Sequence, residues 1–327
     1  VAAAKGVADV KLHSVYPPYA YPLFSVVFWP ATYAGARLVF EVLTLAALVM
    51  MMIDGARRLG FAGRRFALLG AAIPLAFSGN SSAIGLGQFS IICVAAITLQ
   101  IGFLVRNRPV AAGLCWALAM IKPQIGLPFV CLFAVSRQWR GLVAGGAMLG
   151  LLTALALLWT GVSPWDFWQH GVDSQKLRWL KAESQPMGAG LWIAALGLAP
   201  RFATVLAVGL VGVLFLGLSR RGARVSVETA AALCAAVGMA FFYHRPYDNI
   251  MLYPLVIALA VATVSQRSAG LVLALVIVCL LNFLPASIVY RAAAHSTLLA
   301  WLNLIAPLAA AFALVGRSSH PLKRWYE

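Results

Sequence analysis

Residues 110–135 read VAAGLCWALAMIKPQIGLPFVCLFAV, apolar almost throughout except for Lys122-Pro123-Gln124 at the centre. Such a run asks to be dehydrated as a helix. The lysine opposes this, because an ammonium loses its hydration in hydrocarbon at a cost of roughly 2.5 kcal/mol or more. The proline breaks the helix at the same point, removing a donor and clashing with the preceding turn. A cation, an amide and a helix break at one spot point to a polar cavity reaching into a membrane. The bland alternative is a lysine that snorkels from a helix end beside a proline that only shapes a hairpin.

The rest of the chain supports a membrane setting. Of 327 residues, 62% are hydrophobic and 10% charged, against about a quarter charged in soluble domains. The net charge of +16 arises from 25 Lys+Arg against 9 Asp+Glu. In a soluble protein that excess would point to nucleic acid. Here the arginines sit in short gaps between apolar runs, so orientation by the positive-inside rule accounts for them and no nucleic-acid partner is expected. All five cysteines (Cys93, Cys115, Cys131, Cys234 and Cys279) lie within apolar runs without a CxxC or Cys/His cluster, so they read as packing thiols and no metal site is expected.

Apolar segments occupy 34–53, 66–78, 88–105, 141–160, 200–218, 226–243, 249–264, 269–288 and 298–316. The expected fold is all-α: a polytopic transmembrane bundle of about nine full spans plus a short broken hairpin over 110–135, in a single integral membrane domain covering 1–327. The loops alternate in charge. Arg57, Arg58, Arg64, Arg65, Arg106, Arg108, Arg137, Arg140, Arg220, Arg221, Arg224, Arg267, Arg317, Lys323 and Arg324 form one set, expected in the cytoplasm. Residues 1–33, with a partly immersed Tyr/Pro-rich part at 16–31, the loop 161–199, and 79–87, 244–248 and 289–297 form the extracytoplasmic set. The chain opens Val1-Ala2-Ala3-Ala4 without methionine, and a further helix is expected upstream.

Four polar features fall on the extracytoplasmic side: Gly85-Leu86-Gly87-Gln88, read as opening the helix 88–105; Lys122-Pro123-Gln124; His244-Arg245-Pro246-Tyr247-Asp248; and the aromatic-proline run Tyr16 to Pro22. Together they offer cations for a phosphate, an acid, a base and aromatic faces for a sugar. Glu41 is expected to pair with Arg37 across one helical turn, and Glu228 to favour a helix N-terminus.

In order and spacing these pieces resemble glycosyltransferase family 87, of the GT-C class. The likeness rests on Tyr21-Pro22-Leu23-Phe24, then Gly87-Gln88, Arg106-Asn107-Arg108-Pro109, Ala112-Gly113-Leu114, Ile121-Lys122-Pro123-Gln124 and Tyr247-Asp248, over about residues 16–264. The resemblance implies a bacterial plasma-membrane enzyme that moves a sugar, typically mannose, from a polyprenyl-phosphate carrier to a glycolipid or glycan hydroxyl on the extracytoplasmic side. It implies inversion, no cofactor beyond the donor, and no metal. Lys122, His244 and Arg245 would hold the phosphate, Gln88 and Gln124 would bond sugar or phosphate oxygens, and Tyr21 would line the sugar pocket. The family's usual Tyr-Pro-Pro is Tyr21-Pro22-Leu23 here, with Tyr16-Pro17-Pro18 just upstream. The family's catalytic aspartate follows the first helix. With that helix outside the chain, the base is expected upstream, with Asp9 and then Asp248 as alternatives within it. Two rival classes are a secondary transporter, which also uses broken helices but shows two related halves, and a non-catalytic lipid-binding membrane subunit.

Overall fold

The computed structural model describes residues 16–29, 32–166, 202–221, 225–242, 244–285 and 297–317, with isolated positions at 169, 192, 195–197 and 288. Among these residues there are fourteen α-helices and no strand. They are α1 (Ala20–Val27), α2 (Tyr33–Leu59), α3 (Arg64–Ala76), α4 (Asn80–Gly85), α5 (Ser90–Val105), α6 (Pro109–Ala119), α7 (Pro123–Gly126), α8 (Cys131–Ser136), α9 (Trp139–Thr160), α10 (Phe202–Arg221), α11 (Val227–Phe241), α12 (Tyr253–Gln266), α13 (Ala269–Phe283) and α14 (Thr297–Arg317). A 3₁₀ turn over Pro246–Leu252 runs directly into α12. Each of the nine apolar segments carries a helix, so the all-α bundle stands.

Three helical stretches are long and apolar enough to cross a bilayer unaided: Tyr33–Ala62, Trp139–Thr160 and Pro246–Gln266. The other apolar helices are shorter, apart from α10 at 20 residues and α14 at 21. α2 extends beyond its apolar segment and takes Arg57 and Arg58 into its last turn, where cations complement the helix dipole. The expected Arg37–Glu41 pair forms at 2.7 Å on its exposed face, and Glu228 sits in the first turn of α11. The Tyr/Pro-rich segment folds into the eight-residue α1. Most of 161–199 lies outside the described residues.

The hairpin forms as the sequence requires. Pro109 opens α6, where its missing N–H costs nothing, and Pro123 opens α7 in the same way. Between them Met120, Ile121 and Lys122 leave the helix. The arms are tied by Trp116, whose indole N–H donates to the Gly126 carbonyl at 3.0 Å. Pro128 sets a 3₁₀ turn over Leu127–Val130, and Arg137 closes α8 in the left-handed region at φ 54°. Both arms therefore return to the arginine-bearing loops, with Lys122 at the far tip.

α5, α11 and the stretch from Pro246 to Gln266 form the buried centre; every residue from Thr229 to Ala240 is buried. α9 lies at the periphery. It buries only Gly141, Gly145 and Ala156, while Val143, Leu151 and Leu158 are 61–81% exposed, as expected of a surface meeting lipid. Its contact with α6 is backbone on backbone: a Cβ on Gly113 would collide with the Gly141 carbonyl, and one on Gly145 with the Gly113 carbonyl and Trp116. Small residues permit such approach, and in lipid this packing replaces the hydrophobic drive between helices.

One end of the bundle gathers the arginine-bearing turns between α2 and α3, α5 and α6, α8 and α9, and α12 and α13. The Trp139–Phe215 ring contact, 5.9 Å between centroids, brings the C-terminal part of α10 to the same end. There the Tyr253 hydroxyl lies 2.8 Å from the Met51 carbonyl and 3.1 Å from Asp54, which Arg58 pairs at 2.8 Å. At the other end Phe77 meets Phe283 at 5.2 Å, and the Ser78 amide and hydroxyl both donate to the Asn282 carbonyl.

Gly113→Val is expected to destabilise the protein in detergent by about 1–3 kcal/mol, through overpacking against α9. Gly146→Ala, one position past Gly145 and with open space around its Cβ, is expected to leave the melting temperature unchanged or raise it slightly. Equal melting temperatures for Gly113→Val and wild type would refute the glycine-mediated contact.

Candidate functional site

The tip of the hairpin meets two other helix starts at the end opposite the arginine-bearing turns. Lys122 Nζ lies 2.8 Å from Ser90 Oγ, at the start of α5, and 2.8 Å from Asp248 Oδ1, in the 3₁₀ turn before α12. The Ser90 hydroxyl donates to the same Oδ1 at 2.6 Å. The ammonium also stands 4.7 Å from the centroid of the Tyr247 ring, a cation–π distance. Lys122 is 2% exposed, Asp248 1% and Ser90 fully buried.

Local sequence explains how the acid is delivered. Pro246 occupies the first position of the 3₁₀ turn and fixes its entry. Asp248 then sits at the third position, where its Oδ2 accepts from the Arg245 amide at 3.1 Å while its own amide donates to the Arg245 carbonyl at 2.7 Å. Gly79 lets the turn approach: a Cβ there would strike the Pro246 carbonyl and the Tyr247 Cα. The ammonium thus has two hydrogen bonds and a ring face, and each carboxylate oxygen accepts at least one bond, which offsets the desolvation cost of the buried pair.

Gln88 reaches the cluster through its neighbours. The sequence places it at the opening of α5, but the helix begins two residues later, at Ser90. Gly87, at φ 63°, instead closes α4: the Gln88 amide donates to the Ala83 carbonyl and the Gly87 amide to Ile84. Gln88 is half-buried, and its Oε1 lies 3.5 Å from the Tyr16 hydroxyl. An aromatic column holds α1 there, with Tyr16 on Phe24 at 4.7 Å, Phe24 on Phe89 at 4.8 Å and Phe89 on Phe40 at 5.5 Å. Tyr21 is half-buried on α1 and meets Phe24 edge-on at 6.4 Å. Gln124, two residues past Lys122, is half-buried in α7.

His244 is 1% exposed, in the break between α11 and the 3₁₀ turn. Its Nδ1 lies 3.2 Å from the Phe242 carbonyl. A carbonyl only accepts, so we assign the proton to Nδ1, which leaves Nε2 with a lone pair in the neutral ring. Burial pushes the imidazole pKa below its usual value, against weaker upward pulls from the Phe242 carbonyl and Asp248. Arg245 is half-buried, and it is its backbone amide that holds Asp248.

Lys122 and Asp248 are thus in direct contact, with His244 and Arg245 adjoining in sequence and Gln88 two residues from Ser90. Asp9 lies outside the described residues. Among the described residues no group of three or more His, Cys, Asp or Glu could hold a metal. Sequence reasoning missed Ser90, whose only signal was its place just after Gly87-Gln88-Phe89. It also missed the contact of Tyr16 with Gln88, a pairing across 72 residues.

Lys122→Met and Asp248→Asn should each cost about 3–5 kcal/mol, because each strands or weakens a buried charge. The double variant should cost less than the sum; additive losses in detergent unfolding would refute the coupling. For His244 the folded pKa is depressed, so the unfolded chain binds the proton first. Stability should fall as pH drops below about 6.5, and His244→Gln should flatten that slope. A slope unchanged by the substitution would remove His244 as its source.

No curated protein and no solved structure matches the chain. The family model of glycosyltransferase family 87 matches residues 15–243. The match takes in Tyr16, Gln88, Lys122 and Gln124 but stops one residue short of His244, so the Tyr247-Asp248 pair lies beyond it. Spanning more than half of the chain, that match shows that this protein belongs to glycosyltransferase family 87.

Proposed function

We propose that the protein transfers a sugar, mannose in the first instance, from a polyprenyl phosphate to a glycolipid or glycan hydroxyl at the bundle end holding Lys122, Asp248 and His244. Family membership supports sugar transfer. The observation that carries the finer reading is the buried Lys122–Ser90–Asp248 cluster, set beside Gln88 and the α1 tyrosines at one end. Arginine-bearing turns at the opposite end favour a cytoplasmic location for that end, and so an extracytoplasmic site. Polar groups gathered at one end suit a lipid-fed enzyme better than a central transport pathway.

In the proposed reaction the acceptor oxygen attacks the anomeric carbon. The bond from that carbon to the phosphate oxygen breaks, the phosphate leaves with the electron pair, and a carboxylate takes the acceptor proton. Attack opposite the leaving group inverts the anomeric centre. Arg245 is assigned to the carrier phosphate, joined by His244 once the arriving anion draws a proton onto its Nε2. Lys122 contributes its charge and fixes the hairpin tip, since in the closed cluster it is already engaged by Asp248 and Ser90. Gln88 and Gln124 are assigned to sugar or phosphate oxygens, and Tyr21 to the sugar pocket. Asp248 is assigned to positioning rather than to the base, because both its oxygens accept bonds at 1% exposure. The base is assigned to an acid upstream, with Asp9 as the alternative within the chain.

The test is transfer of radiolabelled mannose from polyprenyl-phosphate mannose to a membrane lipid extract by the purified protein. His244→Gln and Gln88→Ala should each lower kcat/KM by about 10²-fold or more with the fold intact. Loss of transfer in Asp9→Asn would assign the base to Asp9 and unchanged transfer would assign it upstream, whereas Asp248→Asn should lower the melting temperature. Absence of both transfer and carrier binding, with any polyprenyl-phosphate sugar, would overturn the reading.

A further inference from the structure

The Arg106-Asn107-Arg108-Pro109 turn plays no part in the proposed reaction, since it lies at the opposite end of the bundle. It has a near twin. The chain runs Phe103-Leu104-Val105-Arg106-Asn107-Arg108 into α6 and Phe133-Ala134-Val135-Ser136-Arg137-Gln138 into α9. Both helices close in the same way. Asn107 and Arg137 each take φ 54°, and the following amides donate five residues back, Arg108 to Phe103 at 2.8 Å and Gln138 to Phe133 at 3.1 Å.

The two turns are fastened together. Gln138 Nε2 donates to the Leu104 carbonyl at 2.7 Å, capping the neighbouring helix, and Gly141 lets α9 approach the Pro109 carbonyl. Arg106, Arg108, Arg137 and Arg140, all exposed, therefore share one rigid platform. No acidic residue occurs between Asp54 and Asp166 to neutralise it from within its own helices. Its apolar border is equally defined: Trp139 is 45% exposed, Val110 53% and Val143 69%, and the exposed apolar face of α9 begins there. An exposed tryptophan between a cationic platform and an apolar wall marks the level of lipid headgroups.

We propose that this platform binds an anionic phospholipid, with the headgroup phosphate on the four arginines and the acyl chains along the exposed face of α9. Charge complementarity calls for an anion. The adjoining apolar wall calls for an amphiphile, which a soluble phosphate or an acidic protein segment does not supply. The bidentate guanidinium fork suits a phosphate oxygen pair. The site is independent of the sugar-transfer reading.

The full chain, purified in a neutral detergent, is titrated with phosphatidylglycerol, phosphatidylcholine or inorganic phosphate, and bound lipid is counted by native mass spectrometry alongside the melting temperature. Phosphatidylglycerol should bind the wild type at least about tenfold more tightly than phosphatidylcholine and raise its melting temperature. The combined variant Arg106→Gln, Arg108→Gln, Arg137→Asn and Arg140→Gln should lose that preference; asparagine at 137 keeps the left-handed turn accessible. Arg57→Gln with Arg64→Gln and Arg65→Gln, at another turn, should retain it. Equal binding of the two lipids by the wild type overturns the proposal without recourse to any variant. So does a preference kept by the platform variant, or inorganic phosphate competing as strongly as the lipid.

Discussion

A single buried ion pair sets the geometry on which the rest of this bundle depends. Lys122 and Asp248 approach to 2.8 Å with both groups almost wholly out of solvent. Neither charge is tolerable there alone, so the hairpin tip, the start of α5 and the 3₁₀ turn must meet at one point. Ser90 completes the triangle, and Tyr247 covers the remaining side of the ammonium. The surrounding features serve that meeting. Proline breaks free the tip and the turn, Gly79 admits the turn's backbone, and the Phe24–Phe89–Phe40 column brings α1 alongside.

Much of this was legible in the chain, and the reasons are physical. A lysine beside a proline within an apolar run marks a helix break with a polar group at it, so both the position of the break and its polarity could be read directly. The nine apolar segments became helices because each is long and nearly free of charge, the exceptions being Arg37 with Glu41, Arg201 and Glu228. What could not be read was that an acid would meet Lys122, since Asp248 stands 126 residues away and only tertiary packing brings it there. Gly87 was misplaced for a related reason. A glycine between two helical patterns can open the second or close the first, and its positive φ decides for closure.

The two ends of the bundle divide the chemistry. At one, polar groups are buried, paired and held by short helices; at the other, arginines are largely exposed on left-handed turns. Family membership belongs to the whole, whereas the residue roles rest on the first end. Arg137 and Arg267 both accept the backbone strain of a positive φ where glycine would be easier. Each places a cation at a helix C-terminus, where the dipole favours it.

The separation of Lys122 from Asp248 also carries a consequence in time. Synthesis at roughly 5–20 residues per second delivers Asp248 some ten seconds after Lys122. Throughout that interval the lysine has no acid from the 3₁₀ turn, while the glycine-packed contact of α6 with α9 draws only on chain already made. The two arms are short and broken rather than one rigid rod. The tip therefore stays without its acid until the second half of the bundle is made, although its arms can pack earlier.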